Sequence, residues 1–181
     1  MLANGFLFLH RKRDVLAEKS MSLISLAGEL TENGHRLIQR VYYEDTDFSG
    51  VVYHARYLHF MERARTDFLR LLGVEQATLA IEGDSEGLVF VVHRMEIDFK
   101  LPARMDDILT ITTVTEKAGG AKMVLLQEIR RGEQLLIASK VIIAVINGQG
   151  RPRRLPEALA YKFHHAKESA GQPGTSSTNT V

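Results

Sequence analysis

The sequence predicts an α+β domain in which an antiparallel sheet wraps one long central helix, and three observations point there. A single segment, from Tyr57 to Leu72, repeats apolar residues at helical spacing. Four later segments alternate as strands do. Short turns separate most of them, which favours antiparallel pairing, and a helix with so broad an apolar face needs a sheet to cover it.

Residues 1–35 carry little pattern and read as an N-terminal extension. The stretch 1–9 is apolar, but its basic cluster (His10-Arg11-Lys12-Arg13) follows the apolar run where a secretory signal would place it before, and Met21 offers a second start. Residues 36–165 read as the domain. Within it 36–43 is the first strand and Glu44-Asp45-Thr46-Asp47-Phe48-Ser49-Gly50 a polar loop. Tyr57, Phe60, Met61, Ala64, Phe68, Leu71 and Leu72 then mark the helix, which Gly73 stops. An acidic, Gly-containing connection occupies 82–87.

Val89 to Phe99 alternates, with Val91, His93, Met95, Ile97 and Phe99 on one face, which makes His93 a core histidine. Three more strands are expected over 108–116, 123–130 and 135–146, punctuated by Gly119-Gly120 and Arg131-Gly132-Glu133. Residues 166–181 read as a disordered tail, rich in Ser, Thr and Gly toward its end.

Composition narrows the function. The 181 residues are 45% hydrophobic and 25% charged, with a net charge of +1 and no cysteine. That balance is globular, without the basic stripe of a nucleic-acid binder. A disulfide framework, a thiolate metal site and a cysteine nucleophile are excluded together, and a reducing cytoplasm is compatible. No run reaches the roughly 18 apolar residues of a membrane span. Gly-x-Ser-x-Gly, phosphate-loop and dinucleotide motifs are missing. His59 and Glu62 stand three apart on the helix but lack a second such pair, so no metal is expected.

The chemistry-bearing segment is Tyr42 to His54. It sets carboxylates and a glycine turn just before a helix, whose first-turn amides lack intrahelical partners and can hold a developing oxyanion. Asp47 can attack an acyl carbon or activate water there. A thioester suits so sparse an apparatus, because a thiolate of reference pKa about 8.5 leaves without much acid assistance. On spacing alone Asp47 also reads as a turn or capping residue.

Tyr43-Glu44-Asp45-Thr46-Asp47, Gly50-Val51-Val52-Tyr53-His54, Tyr57 and Glu62-Arg63-Ala64-Arg65 together resemble the acyl-CoA thioesterases of the 4-hydroxybenzoyl-CoA thioesterase class. Within that class they are most similar to the Tol-Pal-associated bacterial group. The resemblance runs from about Arg40 through Phe90-Val91-Val92-His93-Arg94-Met95 and Pro102-Ala103-Arg104-Met105-Asp106-Asp107 to Leu155-Pro156. It implies a hotdog fold, a homodimer or homotetramer, and hydrolysis of acyl-CoA to free acid and CoA. It further implies that Asp47 is nucleophile or general base, that the His54 backbone N–H polarises the carbonyl while its imidazole assists, and that Tyr43 lines the site. Tyr53 and Glu62 fall on the substrate side.

Arg56 departs from the asparagine often found two residues beyond the histidine, which bears on substrate choice. CoA enters as substrate, with no separate cofactor, and its phosphates call for cations, for which Lys122, Arg151, Arg153 and Arg154 are the candidates. Acyl carriers or phospholipid-synthesis enzymes are the implied partners, and the cytoplasm, including the periphery of the inner membrane, the implied compartment. Two rivals stand beside this reading: an acyl-thioester dehydratase on the same fold and a non-catalytic cell-envelope scaffold.

Overall fold

The computed structural model describes residues 28–74 and 87–169, so the expected extension before Gly28, most of the acidic connection and the tail beyond Ser169 lie outside the described residues. Strands β1 (Glu29–Thr31) and β2 (Gly34–Arg40) form a hairpin ahead of helix α1 (His54–Leu71). Strands β3 (Val89–Phe99), β4 (Ile108–Gly119), β5 (Lys122–Arg131) and β6 (Gln134–Ile146) follow, then the short helices α2 (Glu157–His164) and α3 (Ala166–Ser169). All six strands join one antiparallel sheet in the order β1-β2-β4-β5-β6-β3, against which α1 packs in the hotdog arrangement. No described helix is long and apolar enough to cross a membrane.

The helix forms where its apolar residues return every three or four positions, and it buries Tyr57, Phe60, Met61, Ala64, Phe68 and Leu69. Full burial of each large side chain contributes about 1.5–3 kcal/mol. Gly73, at φ 72°, makes the left-handed turn that ends it. Two packed clusters lie along its length. Around its start Phe60, Met61 and Ala64 meet Val41, Leu109, Ile129 and Ile137. Around its end Phe68, Leu69 and Leu72 meet Met123, Val145, Leu155 and Phe163.

Three differences from the sequence expectation have physical causes. The sheet begins before residue 36: Glu29 pairs with Arg36 and Thr31 with Gly34, a hairpin too short and polar to show alternation. The first long strand ends at Arg40, because Tyr43–Asp45 coils into a 3-10 turn. At the other end Ala166 is fully buried in α3, so the packed chain continues past 165.

His93 corrects the core assignment. It is exposed, because the pairing of β3 with β6 skips a register between Val92 and Arg94. A bulge of this kind switches which side chains point inward. Phe90 faces the core before it, Met95 and Ile97 after it, and the histidine falls at the step. Strand β3 also stands at the edge of the sheet, and its far side has no partner strand among the described residues.

Candidate active site

The loop before α1 is folded back on itself by its own backbone. Asp47 N–H donates to the Val51 carbonyl at 3.0 Å, Gly50 N–H to the Asp47 carbonyl at 3.0 Å, and Thr46 bridges Val52. Gly50 takes φ 71°, the value such a turn needs and side chains resist. The Asp47 carboxylate is exposed, with Oδ1 accepting the Ser49 N–H at 2.8 Å. One oxygen is thereby anchored, fixing the direction of the other.

Asp45, which sequence reasoning passed over, braces the loop from inside. Its side chain is buried, Oδ2 accepts the Tyr42 N–H at 2.8 Å, Oδ1 lies 3.2 Å from Arg56 Nε, and its carbonyl accepts the Tyr53 N–H at 2.9 Å. Arg56 completes the clamp by donating from Nη2 to the Glu44 carbonyl at 2.9 Å. The arginine that looked like a departure at a substrate position thus ties the carboxylate loop to the first turn of α1. Its signal in the sequence is only an Arg eleven residues after an Asp, which no local pattern interprets.

Helix α1 begins at His54 after Tyr53, with no side chain capping its first turn. The amides there keep their outward aim. The His54 imidazole is exposed and lies against the Tyr53 ring, 4.3 Å between centroids. Beside it is a depression of about 270 Å³ lined by Val52, His54, Tyr57, Phe99, Leu101 and Pro102. Tyr57 forms its buried wall, the hydroxyl accepting the Ala103 N–H at 2.8 Å, and burial raises the phenol's pKa. Tyr43 is 80% exposed on the rim of the loop.

Of the predicted site residues, Asp47, Tyr53, His54 and Tyr43 therefore gather at one end of α1. Glu62 sits about two turns along, where it accepts from Thr66 Oγ1 at 2.6 Å and pairs with Arg65 at 3.3 Å. Arg65 is buried and donates to Gln127 Oε1 at 2.7 Å, while Gln127 donates in turn to the Met61 carbonyl and Thr113 Oγ1. Burial lowers the pKa of this guanidinium and Glu62 opposes the shift. The network rivets the middle of α1 to the centre of the sheet, and Glu62 belongs to it. Among the described residues no group of three or more His, Asp or Glu is placed to hold a metal ion.

Lys122, Arg151, Arg153 and Arg154 do come together with one another, but away from Asp47. The 151–155 segment runs against β6 and the β4–β5 turn, with Arg153 N–H donating to Val145 and Leu155 N–H to Gly120. Neighbouring Met123 and Leu155 pack at the C-terminal end of α1. At a 1.5 Å rise per residue the 18-residue α1 is about 27 Å long, and the two groups lie toward its opposite ends.

Comparison with known proteins adds an independent line. Residues 49–138 match the model of the thioesterase superfamily. The chain is 42% identical to the acyl-CoA thioesterase YbgC of Haemophilus influenzae over 139 residues, 76% of this chain and 100% of that protein. It is 40% identical to the acyl-CoA thioester hydrolase YbgC of Escherichia coli O157:H7, across 68% of this chain and 91% of that one. Among solved structures a probable thioesterase from Bartonella henselae aligns with a TM-score of 0.64 at 51% identity, covering 68% of this chain and 99% of that chain.

Proposed function

Since the chain belongs to the thioesterase superfamily and is an acyl-CoA thioesterase, we propose that Asp47 is its reacting carboxylate and the His54 N–H its oxyanion donor. The observation that carries this reading is the back-folded loop, which sets an exposed carboxylate seven residues before an uncapped helix start and fastens it there through Arg56. The acyl carbonyl oxygen turns toward the first-turn amides. The free Asp47 oxygen takes a proton from the water that attacks the acyl carbon, or attacks that carbon itself to form an anhydride that water then hydrolyses; the C–S bond breaks, CoA leaves as thiolate, and the free acid departs. Donors preset for the oxyanion stabilise it without reorganisation. CoA enters as part of the acyl-CoA substrate and is released as product.

The same reading includes a second copy of the chain. Among the described residues edge strand β3 has no partner on its far side and exposes Val91, Val92 and Phe99, with Leu101 just beyond, a surface an identical strand covers well. Antiparallel pairing about a two-fold axis reverses the partner, turning its Lys122, Arg151 and Arg153 end toward this protomer's His54. CoA phosphates would then be held by one protomer while the other carries out the chemistry.

A thiol-release assay across short, long and aromatic acyl-CoAs tests the reaction: free CoA is expected, whereas an enoyl thioester formed with loss of water from a 3-hydroxyacyl-CoA, and no free CoA from any of the panel, selects a dehydratase. Sedimentation tests the pairing. A species of one chain at micromolar concentration overturns it.

A further inference from the structure

Besides the depression at His54, α1 and β3 line a second cavity. It measures about 230 Å³ and is lined by Phe68, Leu69, Phe90, Val92, Met123 and Phe163, with Glu62 and Arg65 at its rim. Like the depression at His54, it lies between α1 and the β3 side of the sheet. Phe99 and Tyr57 border the one, Val92 and Glu62 the other. His54, Leu58 and Glu62 are spaced by four along α1 and so share one face of it, and Leu58 is exposed between the two. This face of α1 is thus the seam that runs from the helix start toward the inner cavity.

We propose that this cavity receives the distal end of a long, unbranched acyl chain, and that Phe163 of the C-terminal helix α2 sets its length limit. The proposal rests on the thioesterase reading of the His54 site. Glu62 is eight residues beyond His54, about 12 Å along the helix axis. An extended chain of single bonds advances about 1.2 Å per bond, since three backbone bonds span 3.3–3.6 Å. The first ten or so carbons thus lie in the seam, and only those beyond them enter the cavity.

The lining matches such a tail. Three phenylalanines and a methionine offer apolar surface, while the Glu62–Arg65 pair keeps polar groups at the rim, where their hydrogen bonds to Thr66 and Gln127 are already made. The floor is fixed. Phe163 meets Phe68 edge to face at 5.7 Å, Lys162 Nζ donates to the Leu72 carbonyl at 3.0 Å, and His164 Nε2 accepts the Ala118 N–H at 3.3 Å.

The test is the chain-length profile of kcat/KM, measured by CoA release from saturated acyl-CoAs of four to eighteen carbons. Wild-type protein is expected to rise at least tenfold once the chain passes about ten carbons. Val92→Phe, at a position that lines the cavity from the edge strand that also carries the proposed pairing, narrows the mouth and, in protein that sediments as wild type does, should cut the ratio of sixteen-carbon to six-carbon kcat/KM at least tenfold. Phe163→Leu deepens the floor and should move the optimum to longer chains. A flat wild-type profile, or a Val92→Phe ratio equal to wild type in protein with an unchanged circular dichroism spectrum, overturns the cavity assignment while leaving hydrolysis intact. Absence of CoA release at every length overturns the thioesterase reading instead.

Discussion

At its C-terminal end α1 is sealed: Lys162 donates to the Leu72 carbonyl, Gly73 turns the chain away, and Phe68, Leu69 and Leu72 are buried against the sheet and α2. At its N-terminal end the same helix is left open, with no side-chain cap, an exposed histidine and a loop whose Tyr43 and Phe48 stand out in solvent. Capping a helix start is worth about 1 kcal/mol. Giving up that stabilisation at one end while securing the other shows where the molecule keeps polar groups available for something outside itself.

The sharpest way to break that contrast is at the open end. Asp47→Asn removes the charge but keeps an oxygen to accept the Ser49 N–H, so turnover should fall by about 10²–10⁴ while the melting temperature barely moves. Thiol release at the wild-type rate would end the assignment. Arg56→Ala frees the loop and leaves the buried Asp45 carboxylate without its cation, so denaturation should show a loss of about 1–3 kcal/mol, and kcat/KM should drop about tenfold.

At the sealed end the effects are on stability. His35, inside the sheet, has its pKa lowered by burial, with its hydrogen bond and ion pair to Asp67 of α1 opposing the shift. Its Nε2 lies 2.9 Å from Asp67, whereas the buried Nδ1 has, among the described residues, no partner to receive from it if protonated. The native state therefore holds the ring neutral. Because the unfolded chain takes up that proton near pH 6.5, the stabilisation is full above that value and is lost as pH falls through it toward the lower native pKa. Urea midpoints at pH 7.5 and 5.5 should differ in wild type and differ less in His35→Asn. Lys162→Met should cost about 1 kcal/mol on the same curves. Smallest of all, Ser49→Ala should keep thiol release near wild type, since only the backbone of that residue touches Asp47.

How much of this was legible in the sequence depended on how local the cause is. The bounds of β3, the stop at Gly73 and the helix over the Tyr57 to Leu72 pattern follow from periodicity that one segment carries by itself. The gathering of Asp47 and His54 was legible for the same reason, as only seven residues separate them. What escaped depends on distant partners. Arg65 meets Gln127 across 62 positions and His35 meets Asp67 across 32, and neither residue announces its mate. His93 escaped because strict alternation cannot register a bulge, and that the cations at 122 and 151–154 gather toward the other end of α1 could not be read because a sequence has no ends of a helix in it.

Strand β3 bears on the life of the chain before it ever meets substrate. Eleven residues of extended backbone with outward Val91, Val92 and Phe99 form a template for any other extended segment, and the bulge at His93 is the break in it. A newly synthesised copy must carry that edge through a crowded solution until something covers it. With the proposed β3 pairing as that cover, yield on expression should depend on how fast copies find one another, and dilution or a slowed supply of partners becomes a route to aggregation even when every contact inside the domain is intact.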